Sequence, residues 1–259
     1  MSYWTFCRVA VDRLQRVPPN AMTLKGKTAF VTGATGGLGK AIASELASSG
    51  CNLFLTGRNI GQLRSVAAGL EASEISIDVC ASDLTQTSDL RNLVGRAVDR
   101  FQVFDILINC AGVFPINPIS SSTIEDFDNC FAVNVRAPFI LCQSFLPAMA
   151  ANGWGRVVNV GSSSAFSGFS NTSIYCASKH ALLGLSRSLF QEMRAQNVRV
   201  ISVNPGSIRT PMGQKSIDQS FETFLNPDDV ARYVVFAISF DSELVSEEIR
   251  LNRLDIKTV

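Results

Sequence analysis

Six short runs of β-branched and apolar residues recur along this chain, each separated from the next by a stretch of helical length or more. They are KTAFVT (27–32), CNLFLT (51–56), ISIDVC (75–80), DILINC (105–110), RVVNVG (156–161) and VRVISV (198–203). Near-continuous apolar character, rather than strict alternation with polar residues, requires both faces of such strands to be covered. Helical patterns at 38–49, 59–71, 86–101, 122–151 and 174–196 supply the cover. A crossover helix returns the chain parallel and right-handed, so the pattern predicts an α/β fold: a doubly wound parallel sheet. No linker, repeat or low-complexity stretch divides residues 22–259, which read as one domain. Beyond Val203 the segment NPGSIRTPMG is turn-rich, residues 214–225 read as a short mobile helical flap, Pro227 and Asp228 open a helix to about Ser239, and EEIRLNRLD alternates like a last strand.

Composition removes several classes of function. The net charge is +1, so no basic stripe or acidic tract points to nucleic acid or an anionic membrane as a partner. No uninterrupted apolar run has the length of a membrane span, and 137–151 is broken by Pro138, Gln143 and Pro147, so it reads as a buried helix. The seven cysteines form no C-x-x-C pair and mostly sit in apolar runs, as core residues of a reduced, cytoplasmic protein do. His180 is the only histidine, which excludes a His-rich metal site and any Ser-His-Asp triad that does not use it; no metal is expected. Residues 1–21 carry Arg8, Arg13 and Arg16 against one acid, Asp12. They read as an extension ahead of the domain, which starts naturally at Met22; the alternative is a short transit peptide and a mitochondrial location.

The first strand runs directly into Gly33-Ala34-Thr35-Gly36-Gly37-Leu38-Gly39, and a helical pattern follows. Glycine lets a backbone approach a pyrophosphate closely, and a helix N-terminus offers free N–H groups and partial positive charge. A glycine cluster alone is a weak signal, but its place after the first strand strengthens it. Thr32-Gly33, Gly37 and Gly39 match T-G-x-x-x-G-x-G, and with these residues the chain resembles the short-chain dehydrogenase/reductase family over residues 24–239. The resemblance implies a seven-stranded parallel sheet of the Rossmann type and a nicotinamide cofactor held by Gly33, Thr35, Gly37, Leu38 and Gly39.

The second strand ends Leu55-Thr56-Gly57-Arg58. Dehydrogenases that use NAD usually place an acid here for the ribose hydroxyls; this chain has Gly57 and then Arg58, a bidentate phosphate binder, so NADP(H) is the expected cofactor. The resemblance further implies that Asp83 and Leu84 meet the adenine. It matches Asn109-Cys110-Ala111-Gly112 to the family's N-N-A-G segment, with Cys110 replacing the second Asn; Asn109, Ala111 and Gly112 are then cofactor residues, Asn109 with a partly structural role. Pro205, Gly206, Ile208 and Thr210 match the segment that fixes the carboxamide.

Tyr175 and Lys179 stand at i and i+4, on one face of a helix, where the ammonium favours ionisation of the phenol and lowers its pKa. A Y-x-x-x-K pair alone is an ordinary helix surface; following the glycine loop and the N-x-A-G segment it resembles the family's catalytic pair. Both residues then also serve the cofactor. Ser162, thirteen residues before Tyr175, matches the serine that steadies the substrate oxygen, and Asn134 matches the helix asparagine that holds a water linking Lys179 to solvent. His180 falls on another helical face. The implied activity is hydride transfer between a carbonyl (ketone, aldehyde or 3-oxoacyl group) and a hydroxyl on a small-molecule substrate; the competing reading is a non-catalytic NADP(H)-binding regulator on the same fold. Val113, Phe114, Ser164, Phe166, Phe169, Ile208, Met212, Phe221 and Phe224 are the expected pocket, apolar except for Arg209 nearby. The chain lacks the D-G-G segment with which many family members build a tetramer, which leaves a homodimer through 122–151 and 174–196 as the expected assembly.

Overall fold

A computed structural model describes residues 24–70, 74–216 and 219–254 of the chain. The proposed N-terminal extension lies outside the described residues. Seven parallel strands form one sheet in the order β3-β2-β1-β4-β5-β6-β7. They are β1 (Thr28–Thr32), β2 (Asn52–Gly57), β3 (Ile77–Ala81), β4 (Ile106–Asn109), β5 (Gly155–Val160), β6 (Val198–Pro205) and β7 (Glu248–Leu251). The order reverses between β1 and β4, which pair directly. A crevice opens at such a switch point beyond the carboxyl ends of the strands.

The period-2 alternation of the strands assigns each side chain to one of two cores. Ala29 and Val31 of β1 join Leu53, Leu55, Ile106 and Ile108 on one face, under α1 (Gly37–Ser48), α2 (Ile60–Ala68) and the late helix Pro227–Ile238. Phe30 points the other way and meets Phe54, Leu107 and Val157 under α3 (Thr87–Phe101) and the long helical stretch of the chain's middle. Phe30 stacks on Phe54 with centroids 5.3 Å apart, and Phe104 packs on Phe145 at 5.0 Å. Offset and edge-to-face aromatic pairs of this kind add to the area they bury.

The middle of the chain departs from the single helix expected over 122–151. It consists of α4 (Ile124–Phe131), a wide π-turn at Ala132–Arg136 and α5 (Ala137–Ala151). The apolar length of α5 is turned against the sheet through Leu141, Cys142, Phe145 and Met149. α6 (Ser173–Met193) packs beside it, and α7 (Pro227–Ile238) follows the turn-rich region. The expected flap helix over 214–225 is not formed: the described residues there make two single 3-10 turns, Gly213–Lys215 and Phe221–Thr223. Apolar periodicity does not hold a helix whose polar backbone is taken by other partners, here Ser207 and Arg209 bonding to Leu225.

The amino-terminal edge of the sheet is locked by charge. Arg156 on β5 is fully buried and donates to Asp241 at 2.8 Å and to the carbonyls of Gly155, Asn197 and Phe240. Trp154 lies between two cations, Lys27 at 4.1 Å and Arg156 at 4.3 Å, and its indole N–H donates to Asp241 at 3.1 Å. Lys27 also pairs with Asp105 at 2.9 Å. Burial pushes the Arg156 guanidinium down to about 10, with the Asp241 carboxylate opposing that shift.

Candidate active site

At the opposite edge, the turn after β1 leads into α1 without a side-chain cap. Gly36 is the N-cap and makes no capping hydrogen bond from a side chain, whereas Asn59, Thr123 and Asn226 cap α2, α4 and α7. The first N–H groups of α1 are therefore available to a ligand. Close packing demands the glycines. Gly33 has φ +67, and a Cβ there would lie 2.8 Å from the Ala111 Cα; a Cβ on Gly39 would lie 2.1 Å from the Gly33 carbonyl oxygen. A Cβ on Gly37 would lie 2.6 Å from the Thr210 methyl. Thr32 ties this turn to the neighbouring crossover, its Oγ1 accepting from the N–H groups of Cys110 and Ala111, both at 3.0 Å.

A cleft of about 590 Å³ runs from this loop along the strand ends. Thr35 and Arg58 stand at one end, Ser82 to Leu84 beside them, then Cys110 to Phe114, with Met212 and Lys215 over the top. Arg58 is exposed and makes no ion pair or hydrogen bond among the described residues. A side chain at Gly57 would meet the Thr35 hydroxyl at 3.1 Å, so an acid has little room there. The Ser82 hydroxyl is buried beside the cleft without a partner. Asp83 accepts from the N–H and hydroxyl of Thr85, which fixes its carboxylate at the rim. These residues fit the dinucleotide that the resemblance implies: uncapped donors and Cβ-free surfaces for a pyrophosphate, an unpaired guanidinium for a phosphate, and a buried orphan hydroxyl along the way.

Behind Phe114 and Gly112 of the cleft wall lie Tyr175 and Lys179, both buried on α6. The Lys179 ammonium lies 5.6 Å from the Tyr175 ring centroid and donates to the Val160 carbonyl at 2.8 Å, which straps α6 to the end of β5. Two residues beyond Val160, the Ser162 hydroxyl lies beside the Tyr175 phenol and accepts from the Ser164 N–H at 3.1 Å. Phe114 packs on Tyr175 with centroids 4.5 Å apart. Tyr175, Lys179 and Ser162 are thus brought together.

The expected lowering of the tyrosine pKa is not what the structure has. Burial pushes the phenol up to about 12, against the opposing hydrogen bond from Ser162. The ammonium that was to lower it is turned to a backbone carbonyl, and burial pushes Lys179 itself down to about 8. Both shifts favour the neutral forms, as desolvation does.

Asn134 is bound into the fold. It sits in the π-turn, and its side chain takes up both polar groups of Val113, accepting from the N–H at 2.9 Å and donating to the carbonyl at 3.0 Å. It donates as well to the Ser178 hydroxyl at 3.0 Å, which in turn donates to the Tyr175 carbonyl at 2.7 Å. Asn134 therefore fixes the wall of the cleft against α6. Asn109 is turned inward: its amide donates to Asn159 at 2.8 Å, and Asn159 donates to Ser186 on α6. Its side chain belongs to the sheet–helix layer rather than to the cleft.

After β6, Thr210 accepts from the Gly213 N–H at 3.2 Å, while Pro205 ends the strand and the Gly206 N–H donates to Leu251 at 2.8 Å. Ile208 bridges to Leu225. Of the expected pocket residues, Val113, Phe114 and Met212 line the cleft. Phe166 instead carries the Arg250 guanidinium on its face at 3.4 Å, and Phe224 is buried beneath Arg253. Arg209 donates to the carbonyls of Glu222 and Phe224. His180 is exposed and bonds only to the Cys176 carbonyl. Ser178 and Lys215 lie outside the residues expected from the sequence, although Ser178, three residues after Tyr175 on the same helix, has a readable position; Thr32, expected only as part of the glycine-loop pattern, has a tying role of its own.

The family model described as short chain dehydrogenase matches residues 27–220. The 3-oxoacyl acyl-carrier-protein reductase FabG of Rickettsia bellii is 33% identical over 232 residues, covering 86% of this chain and 93% of that protein. The D-beta-hydroxybutyrate dehydrogenase of Rhizobium meliloti is 34% identical over 201 residues, covering 76% of this chain and 77% of that protein. Among solved structures, a metagenomic short-chain oxidoreductase in complex with NADP superposes with a TM-score of 0.79 at 30% identity, covering 90% of this chain and 99% of that one. The 3-oxoacyl acyl-carrier-protein reductase of Agrobacterium tumefaciens with NADP bound gives 0.82 at 27% identity, covering 93% and 98%.

Proposed function

This chain belongs to the short-chain dehydrogenase family, and on that premise we propose that it is an NADP(H)-dependent oxidoreductase interconverting a carbonyl and a hydroxyl, with Tyr175 as the proton-transfer group. The observation that carries the reading is a cleft with the unpaired Arg58 at one end and, directly behind its wall at Gly112 and Phe114, the Tyr175–Ser162–Lys179 cluster. Arg58 is placed for the 2′-phosphate, the α1 N-terminus with Thr35 and Gly37 to Gly39 for the pyrophosphate, and Asp83 and Leu84 for the adenine. Ala111 and Gly112 would border the ribose, Lys179 would serve its hydroxyls, and Pro205, Gly206, Ile208 and Thr210 would hold the carboxamide. When bound, the reduced nicotinamide supplies hydride to the carbonyl carbon.

Tyr175 gives its proton to the oxygen that becomes an alkoxide. A phenol held at about 12 is fully protonated at neutral pH, as a donor in the reducing direction must be. Ser162, beside that phenol, donates to the same oxygen as charge develops there. The wall beside Tyr175 is apolar, with Phe114 on the ring and Val113 and Met212 nearby, which suits a moderately apolar ketone, aldehyde or 3-oxoacyl group. Relatives named as 3-oxoacyl reductases and a hydroxybutyrate dehydrogenase support this class. A second copy of the chain is placed against the outer face of α4–α6, where Phe131, Phe139 and Leu185 border a groove of about 570 Å³.

The test is NADPH consumption against a panel of carbonyls, with Tyr175→Phe as the control. Loss of the hydroxyl alone removes acid–base catalysis and an oxyanion contact, and lowers turnover by at least the 10²–10⁴ typical of such a group, while NADPH binding survives. A variant keeping more than about a tenth of wild-type turnover, far short of that loss, assigns the proton to another residue. NADPH binding without turnover of any carbonyl or alcohol replaces the enzyme reading with that of a regulator.

A further inference from the structure

Two arginines grip the segment around the second 3-10 turn after β6, Phe221–Thr223. From below, Arg209 donates to the carbonyls of Glu222 and Phe224. From the end of the described chain, Arg253 donates to Thr223 Oγ1 at 3.1 Å and to Gln219 Oε1 at 2.6 Å, and its guanidinium lies 5.1 Å from the Phe224 ring centroid. Gln219 is shared: its Oε1 also accepts from the Ser207 hydroxyl at 3.0 Å, at the root of the same segment.

Contacts continue from this grip into the cleft. Phe224 is buried, and its ring stands 3.3 Å from where a Cβ on Gly213 would be. The Gly213 N–H donates to Thr210 Oγ1 at 3.2 Å, and the Thr210 methyl lies against Gly37 of the glycine loop. Met212 and Lys215, either side of Gly213, line the cleft. Arg253 is thereby linked to the roof of the cleft through one aromatic ring and one turn.

We propose that Arg253 is a positioning residue: it latches residues 219–225 so that Phe224 holds the Thr210–Gly213 turn, and with it Met212, over the cleft and sets how tightly the carbonyl substrate is enclosed. The proposal rests on the reading of this cleft as the site of carbonyl reduction. It assigns a role in substrate enclosure to the strand-end segment after β7, which carries no part of the glycine-loop or Y-x-x-x-K patterns. Each donor lost from a charged group shifts a local opening equilibrium by about tenfold or more.

The experiment compares wild type, Arg253→Met, Arg253→Lys and Thr223→Val by amide hydrogen exchange and steady-state kinetics. In Arg253→Met, exchange at Arg209, Gly213, Phe224 and Leu225 quickens by about tenfold or more while β1, β4 and β5 are unchanged, as local rather than global opening requires. The carbonyl KM rises by a similar factor, with kcat within about twofold because Tyr175, Ser162 and Lys179 are untouched. Arg253→Lys restores part of both effects, and Thr223→Val, which removes one acceptor, gives a smaller version of them. Unchanged exchange at those amides, exchange rising equally across the sheet, or a loosened segment with unchanged KM each overturns the proposal. Wild type that turns over no carbonyl is a failure of the functional reading instead, and the latch then stands or falls on the exchange data.

Discussion

Lys179 is the residue whose removal separates stability from function most cleanly. Its side chain is buried, and burial holds its pKa at about 8 against an ordinary 10.5. At neutral pH the ammonium is still charged, so the fold carries a desolvated cation whose penalty is about 3 kcal/mol, at 1.36 kcal/mol per pKa unit. Unfolded chains keep this proton up to about 10.5, whereas the folded chain releases it near 8. Between these values the unfolded state binds more protons, so this group's contribution to stability rises with pH across that window and is complete above it. Lys179→Met removes the cation and also the bond to the Val160 carbonyl, a loss of about 1–3 kcal/mol. At pH 7 the variant should therefore be about as stable as wild type or more so, although turnover and NADPH binding both fall. Urea unfolding from pH 7 to 10.5 supplies the check. The stability difference, variant minus wild type, should shrink by about 3 kcal/mol between pH 8 and 10.5. Taking the difference cancels the buried thiols of Cys51 and Cys142, which are pushed up to about 12 and destabilise both proteins alike as pH rises above 9; the Cys110 thiol, whose rise the Lys179 ammonium opposes, is held higher in the variant and adds to the same trend. A difference that stays flat across that range would refute the argument that the lysine is held charged against its own burial.

Arg58→Ala should weaken NADPH by about 1.5–3 kcal/mol and leave NADH unchanged, since only the former loses a charged hydrogen bond; fluorescence titration measures both, and a wild type that binds the two cofactors equally contradicts the assignment. Asp241→Ala leaves the Arg156 guanidinium buried without its carboxylate and should cost about 2–4 kcal/mol of unfolding free energy, discounted for the partial exposure of Asp241. Unfolding midpoints within error of wild type would show that the carbonyls of Gly155, Asn197 and Phe240 suffice.

The sheet was legible because its information is local. Each strand announces itself by a run of apolar residues, and each β-to-helix transition after the first strands by Gly or Asn. Tyr175 and Lys179 were legible for the same reason, since helix geometry alone places i and i+4 on one face. What escaped depends on partners far along the chain. The π-turn around Asn134 fits two hydrogen bonds to Val113, twenty-one residues away, while its periodicity reads as continuous helix. Arg156 stands first in a strand run and reads as a solvated end; its burial depends on Asp241, eighty-five residues on. The direction of the tyrosine pKa was misread because spacing gives the proximity of Lys179 but not the depth at which both residues lie, nor the carbonyl that claims the ammonium.

Trp154 has a consequence for observation. It is the only tryptophan among the described residues, wedged between Lys27 and Arg156 where the strands begin, with its indole nitrogen tied to Asp241. In a Trp4→Phe variant its ultraviolet emission therefore reports on the floor of the molecule, whereas emission from a bound reduced nicotinamide reports on the ceiling. One sample carries two optical gauges separated by the height of the sheet. In a denaturation series, superimposable curves mean that floor and ceiling melt as one body; nicotinamide emission lost at lower urea than the indole signal marks a form whose roof has opened while its foundations hold.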